Sequence, residues 1–297
     1  MKKKDHDAKN PDAHLIARFH AIRKKTGITP KAVRLFQRII YNHYSRMRRS
    51  LPWRKTRNPY RILVSEIMLQ QTQIERVIDK YRLFIKTFPD FRSLSESSLA
   101  DVLKVWQGLG YNRRAIALKK ISEIVITTYH NKLPKSQKEL LKLPGIGPYS
   151  AAAITAFAFN EPAVFIETNI RRVFIYFFFP RKHTVSDTEL FPLVEKTLDR
   201  KDPRNWYYAL MDYGVMVGKS APNPNLRSAH YQRQSRFEGS NRQIRGMILR
   251  TLINNDRLTE HALMNALNTD HELVRKNLEQ LEQEGFLRRQ GKRFCIA

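Results

Sequence analysis

Residues 136–159 read SQKELLKLPGIGPYSAAAITAFAF, and no other stretch restricts the fold so strongly. Ser136, with Glu139 three places on, has the capping-box pattern of a helix start. That helix runs into a turn holding Gly145 and Gly147 with one isoleucine between them, and a second helix of small residues leaves the turn. Glycine reaches positive φ without a Cβ clash, so two helices can be joined within a few residues. The alanines and Ser150 let the second helix pack closely. Uncovered backbone N–H groups and the N-terminus of the second helix also form an anion site that suits one phosphate. Taken alone, a G-x-G turn signals no more than an ordinary helix–helix corner.

The rest of the chain supports a helical body. Asn58-Pro59 reads as an N-cap followed by proline at the first helical position, and SLAD (98–101) and SDTE (186–189) repeat the capping pattern. Apolar residues at helical spacing follow these starts, and no alternating strand pattern precedes residue 285, which predicts an all-α core. A chain of 297 residues leads one to expect two domains. Residues 1–32 are basic with little periodicity and read as a mobile arm, while helical signals dominate 33–218. From 219 to 240 the chain is poor in aliphatic residues and reads as an extended linker. Residues 241–297 then give three helices and FLRRQGKRFCIA, which alternates around Gln290-Gly291 as a small hairpin does. Three helices and a basic hairpin describe a winged helix-turn-helix, a module that binds DNA in some proteins and protein in others.

Charge bounds the partner. Lys and Arg total 54 against 27 Asp and Glu, a net charge of +27, which points to a polyanion and most simply to nucleic acid. The single cysteine, Cys295, excludes an internal disulfide and a Cys-ligated zinc or iron–sulfur centre. No apolar run nears the ~20 residues that span a bilayer, and the charged N-terminus has no secretory apolar stretch. A cytoplasmic, nucleoid-associated monomer without a membrane partner is expected.

LPGIGPYSAAAI followed by FIETNIRRV resembles the helix–hairpin–helix DNA glycosylase superfamily. LPWR (51–54), NPYRILVSEIMLQQTQ (58–73), VWQGLGYNRRA (105–115) and ALMDYG (209–214) are similar to its MutY-like adenine DNA glycosylase branch, more than to endonuclease III. The resemblance spans 33–218 in order. It implies two helical subdomains flanking a cleft, hydrolysis of an N-glycosidic bond in base excision repair, and double-stranded DNA with a mispaired or damaged base as partner.

Glu66 interrupts the apolar stretch ILVSEIML. A carboxylate there is either on a polar edge or buried with a raised pKa. The resemblance implies the second, a general acid that protonates the leaving base. It also implies that Glu167, where the family usually has aspartate, stabilises positive charge on the sugar, and that Asn169 orients the site. An acid in the first turn of a helix satisfies the helix dipole as well. Tyr149 stands where lyase-active relatives carry a nucleophilic lysine, so the resemblance implies a monofunctional enzyme; a structural tyrosine is the alternative. Gln71 and Tyr111 match residues that wedge into the duplex beside an extruded base. The resemblance also implies adjoining DNA contacts at Thr72, Arg113, Gly145 and Gly147. Arg54 and Trp53 match the edge of the base pocket, with a plain core tryptophan an equal reading of Trp53. Tyr208 and Asp212 complete that pocket.

Four departures accompany the likeness. The usual iron–sulfur cysteines fall on Gly218, Asn225, Ser228 and Gln234, so no cofactor is expected beyond a monovalent cation at the hairpin. Position 167 is glutamate. Tyr208 replaces a pocket glutamine and lacks an amide's two-point contact. The usual 8-oxoguanine-reading C-terminal domain is replaced by the winged helix. Adenine opposite 8-oxoguanine or guanine is the leading substrate. Another damaged or mismatched base (uracil, thymine, hypoxanthine) and a non-catalytic lesion-binding protein are the alternatives.

Overall fold

The computed structural model describes residues 11–219, 222–232 and 236–297. They belong to two compact units, the first built from residues 1–50 and 151–233, the second from 51–150 and 234–297. No helix among the described residues is long and apolar enough to cross a membrane.

The first unit packs α1 (Ala13–Thr26), α2 (Pro30–Met47), α10 (Thr168–Phe178), α11 (Asp187–Thr197) and α12 (Pro203–Gly218) around an aromatic core. Phe36 of α2 lies 5.1 to 5.6 Å from the rings of Phe174, Phe177 and Phe178, and 5.8 Å from Trp206. The apolar run of α10 is therefore core. The mobile arm expected over 1–32 gives way to helix over Ala13–Thr26; residues 1–10 lie outside the described residues. Leu15 and Phe19, one turn apart, are both buried, and the Phe19 ring is 5.7 Å from Phe36 and Phe177. Two apolar anchors among many basic residues suffice to dock a helix. Asp12, also buried, accepts from Asn42 Nδ2 at 3.0 Å and pairs with Arg46.

The expected linker over 219–240 also has structure. Pro224–Arg227 form a 3-10 turn, and Ser228 pairs in parallel with Val185, with Val185 N donating to Arg227 O at 2.8 Å. Asn225 is buried and donates to Thr168 O at 2.9 Å.

In the second unit, Trp53 sits in a 3-10 turn (Pro52–Lys55) ahead of α3 (Pro59–Leu69). Asn58 caps α3 by accepting from Arg61 N at 3.2 Å, with Pro59 at the first helical position. Every residue from Ile62 to Met68 is buried, so α3 is the central helix, packed by α4 (Ile74–Thr87) and α7 (Arg113–Thr128). Asp90 and Ser98 cap α5 (Phe91–Glu96) and α6 (Leu99–Trp106). Ser186 closes a capping box on α11, whereas Ser136 makes no side-chain cap bond to the short α8 (Gln137–Leu140). The boundary between the units falls within α9 (Pro148–Phe159), after Ser150.

The C-terminal part of this unit runs α13 (Asn241–Asn255), β1 (Leu258–Thr259), α14 (Glu260–Leu267), α15 (His271–Gln283), β2 (Leu287–Gln290) and β3 (Arg293–Ile296). The sheet order is β1-β3-β2, all antiparallel, with Leu287 opposite Ile296 and Gln290 opposite Arg293. Strand β1 precedes residue 285, contrary to expectation; two residues are too few to alternate. Asn268, in the left-handed region, begins the short turn between α14 and α15.

Helix α13 packs on α6, and Glu284, just past α15, is gripped by two arginines. Arg113 Nε donates to it at 2.8 Å and Arg245 Nη1 at 3.1 Å. Those partners hold its carboxyl well below the usual range, at about 2. With a folded pKa below the unfolded one, this pairing stabilises the fold above the ordinary carboxylate range of about 4.3 and is lost as pH falls towards 2. Glu284→Gln is expected to lower the melting temperature at neutral pH and to make melting less sensitive to acid. Thermal melts of both proteins at neutral and acid pH check this; an unchanged neutral melting temperature would show that the pairing contributes nothing.

Candidate functional site

Glu66 lies in the middle of α3 and is 8% exposed, so its side chain is buried and does not sit on a polar edge. The end of α3 carries the next candidates. An α-helix leaves its last carbonyls without intrahelical donors. Here Arg114, 8% exposed and one residue into α7, donates through Nη1 to Ile67 O at 3.1 Å, Met68 O at 2.8 Å and Gln70 O. Through Nη2 it reaches Thr72 Oγ1 and Gly110 O, both at 3.0 Å, and through Nε the carbonyl of Tyr111 at 3.3 Å. Burial pushes its guanidinium down to about 10, still charged at neutral pH. The charge is balanced by carbonyl dipoles and by the rings of Trp106 and Tyr111, 5.5 and 5.4 Å away.

Two loops are thereby fixed together, and each carries a wedge candidate. Gln71 (φ 54) and Tyr111 (φ 48) are both in the left-handed region that non-glycine residues seldom occupy. Strain of this kind persists only where the surroundings impose it, and it concentrates at functional sites. Gln71 is exposed and Thr72 half-buried. Arg242 of α13 donates to Tyr111 Oη at 2.7 Å. Arg113, expected to contact DNA, pairs with Glu284 while most of its side chain stays exposed.

The glycine turn lies nearby in the same unit. Gln70 Nε2 donates to Ser150 Oγ at 3.1 Å and to Gly145 O at 3.4 Å. Gly145 has φ 75, and a Cβ on it would sit 2.9 Å from Ala117 Cβ, so both conformation and space require glycine. Gly147 has an ordinary φ, and a Cβ there would meet nothing within 4 Å. Tyr149 follows at the start of α9 and is 37% exposed. Trp53 is buried edge-on to Tyr81 at 5.5 Å, which is the core reading; Arg54 beside it is half-buried.

The first unit holds the remaining candidates. Glu167 is the N-cap of α10; its Oε1 accepts from Asn169 N at 2.7 Å and Ile170 N at 2.9 Å, and its Oε2 from Asn169 Nδ2 at 3.2 Å. Burial of the carboxyl pushes its pKa up, against those hydrogen bonds and the Arg172 charge, which pull it down. Arg172 Nη1 donates to Asn169 Oδ1 and to Gly214 O, both at 2.8 Å, and Nε to Asn223 Oδ1 at 3.1 Å. Gly214 is needed for this approach: a Cβ would lie 2.6 Å from Asn169 Cβ. Arg171 pairs with Asp187 at 2.7 Å. Asp212 is buried and accepts from Arg49 N at 3.0 Å and from the Arg49 guanidinium, so it anchors the end of α2. Tyr208 is buried and stacked on Phe157 at 4.7 Å.

An iron–sulfur cluster does not fit the positions where relatives hold one. A side chain on Gly218 would meet the Arg172 guanidinium, 2.5 Å from Cζ, while Asn225 is hydrogen-bonded to Thr168 and Ser228 is paired with Val185. Gln234 lies outside the described residues. Arg114 escaped the sequence reading because it looks like one more base in a basic chain.

Residues 64–192 match the model of the HhH-GPD superfamily base excision DNA repair protein family. Over 191 residues the chain is 38% identical to the adenine DNA glycosylase of Buchnera aphidicola subsp. Baizongia pistaciae, covering 63% of this chain and 53% of that protein. It thus spans about half the length of that curated relative. Over 194 residues it is 31% identical to the thymine/uracil-DNA glycosylase of Methanothermobacter thermautotrophicus, covering 64% of this chain and 87% of that one. The solved structure of a thermostable thymine-DNA glycosylase matches with 27% identity and a TM-score of 0.57, over 65% of this chain and 90% of the other.

The two glycines are expected to behave differently. Gly145→Ala forces a β-carbon into the left-handed region and against Ala117, and should lower stability by about 1–2 kcal/mol. Gly147→Ala should leave the melting temperature unchanged. Denaturant titration of both variants checks the contrast, and equal losses would contradict this account of the turn.

Proposed function

The chain belongs to the HhH-GPD superfamily of base excision DNA repair proteins, and from that premise we propose that it is a monofunctional DNA N-glycosylase acting on a mispaired or damaged base in double-stranded DNA. The observation that carries this reading is Glu66, a carboxyl buried in the central helix with every neighbour from Ile62 to Met68 buried too. A neutral carboxyl at this place is the form that can give its proton to the base as the glycosidic C–N bond breaks. Water then adds to the sugar carbon, and its proton returns to the Glu66 carboxylate, restoring the acid. Glu167 supplies negative charge for the oxocarbenium-like sugar, in a carboxylate fixed by three hydrogen bonds. Asn169 and Arg172 position that carboxylate. Tyr149, lacking an amine, leaves the attack to water.

Adenine is the base that the similarity to an adenine DNA glycosylase supports. A pyrimidine, thymine or uracil, is the second reading. It is favoured by a relative matched over 87% of its length and by Tyr208, whose buried, stacked ring provides no amide.

Single-turnover excision on duplexes carrying adenine opposite 8-oxoguanine or guanine, and thymine, uracil or hypoxanthine opposite guanine, tests the proposal. Excision of one base class is expected. Glu66→Gln should lower that rate by about 10²–10⁴ or more while duplex binding survives, because phosphate contacts dominate affinity. No excision on any pair would overturn the enzymatic reading, and near-native excision by Glu66→Gln would place the acid elsewhere.

A further inference from the structure

Between the loops bearing Gln71 and Tyr111 and the face of α13, the second unit contains a groove of about 750 Å³. Six arginines line it, among them Arg76, Arg242, Arg245 and Arg250, and no aspartate or glutamate does. Leu103, Leu109, Leu249 and Ile253 contribute apolar surface. Phe237, also lining it, is 58% exposed. Arg250 is exposed and makes no hydrogen bond or ion pair with the described residues.

Gly246 is the telling residue. Glycine inside a helix is unfavourable relative to alanine, and here packing does not call for it, since a Cβ would meet nothing within 4 Å. It sits one turn from Arg242 and one turn from Arg250, so the three share a face. That face offers cation, bare backbone, cation.

Helix α15, the reading helix that a helix-turn-helix would present, has the opposite character. Glu272, Glu279 and Glu282 on α15 outnumber Arg275 and Lys276, and Arg275 is paired with Glu260 at 2.7 Å. Helix α13 carries three arginines and no acid.

We propose that the groove holds an unstacked nucleotide of DNA, its phosphates on the arginines and its base against Phe237 and the apolar surface, and that the C-terminal module meets DNA through α13 and not through α15. The inference rests on the glycosylase reading for its choice of strand: the wedge candidates at the groove's edge put there the base that has lost its partner. Polyanion selectivity follows from Arg76, Arg242 and Arg250 on a rim without acidic residues, Arg113 and Arg245 being paired with Glu284. Stacking on an exposed aromatic is the usual way to hold an unpaired base without reading its sequence.

The test is anisotropy titration of the full chain on a labelled duplex holding an uncleavable abasic analogue opposite 2-aminopurine, at several salt concentrations. Arg250→Ala should weaken binding and reduce the salt slope by about one. Gly246→Leu should weaken binding without lowering the melting temperature. Phe237→Ala should cost about tenfold in affinity and suppress the rise in 2-aminopurine fluorescence that the native protein causes. Lys276→Ala should match the native protein. Native binding by Arg250→Ala and Gly246→Leu would overturn the proposal and leave the groove to a protein ligand. A Lys276→Ala loss exceeding that of Arg250→Ala, or no fluorescence rise with the native protein, would also overturn it. Because the duplex cannot be cleaved, a protein that excises nothing would still give these results, so this outcome is separate from that of the excision panel.

Discussion

The guanidinium of Arg114 closes the C-terminal end of α3 and the turn before α7 at once. Helix α3 cannot end in the protein interior with bare carbonyls, and the GLGY turn cannot hold Tyr111 at positive φ without an external tie. One planar cation with five N–H donors meets both needs, which a lysine's compact ammonium cannot do. The helix bearing Glu66 and both wedge candidates are therefore fixed by the same group.

A second arginine does similar work in the first unit. Arg172 joins Asn169, the carbonyl of Gly214 and Asn223, so α10, α12 and the 222–232 segment are tied together by one side chain. The carboxylate of Glu167 is the next link, through Asn169. Glutamate in place of the family's usual aspartate is accommodated by folding back as the cap of α10, where its Oε1 takes two backbone N–H groups. Both arginines rely on carbonyl and amide dipoles more than on carboxylates, in keeping with a chain whose bases outnumber its acids two to one.

What the sequence made legible was local. Asn58, Ser98 and Ser186 announce helix starts because a cap and its target lie within four residues. Gly145 announces a turn because its conformation is its own. Features made by distant partners were not legible. Helix α1 is pinned by rings on α2 and α10, and its two anchors are hidden among lysines and arginines. The segment after Gly218 looks like a linker until Val185 and Thr168 arrive to pair with it. Nothing in the type of Arg114 distinguishes it from Arg113, yet one is buried and donates to seven protein oxygens and the other is drawn to Glu284. Burial of Glu66 could be argued from its apolar neighbours, but only family resemblance gave it a role.

The central claim is that Arg114 preorganises the loops that carry Gln71 and Tyr111, and Arg114→Lys tests it most directly. Lysine keeps the charge and can serve one cluster of carbonyls but not both. Hydrogen exchange of the full chain, followed over residues 69–73 and 108–112, is the measurement. The account expects faster exchange in at least one of these loops while α2 and α10 keep native protection, with excision falling in parallel. Native protection of both loops together with native excision would contradict it.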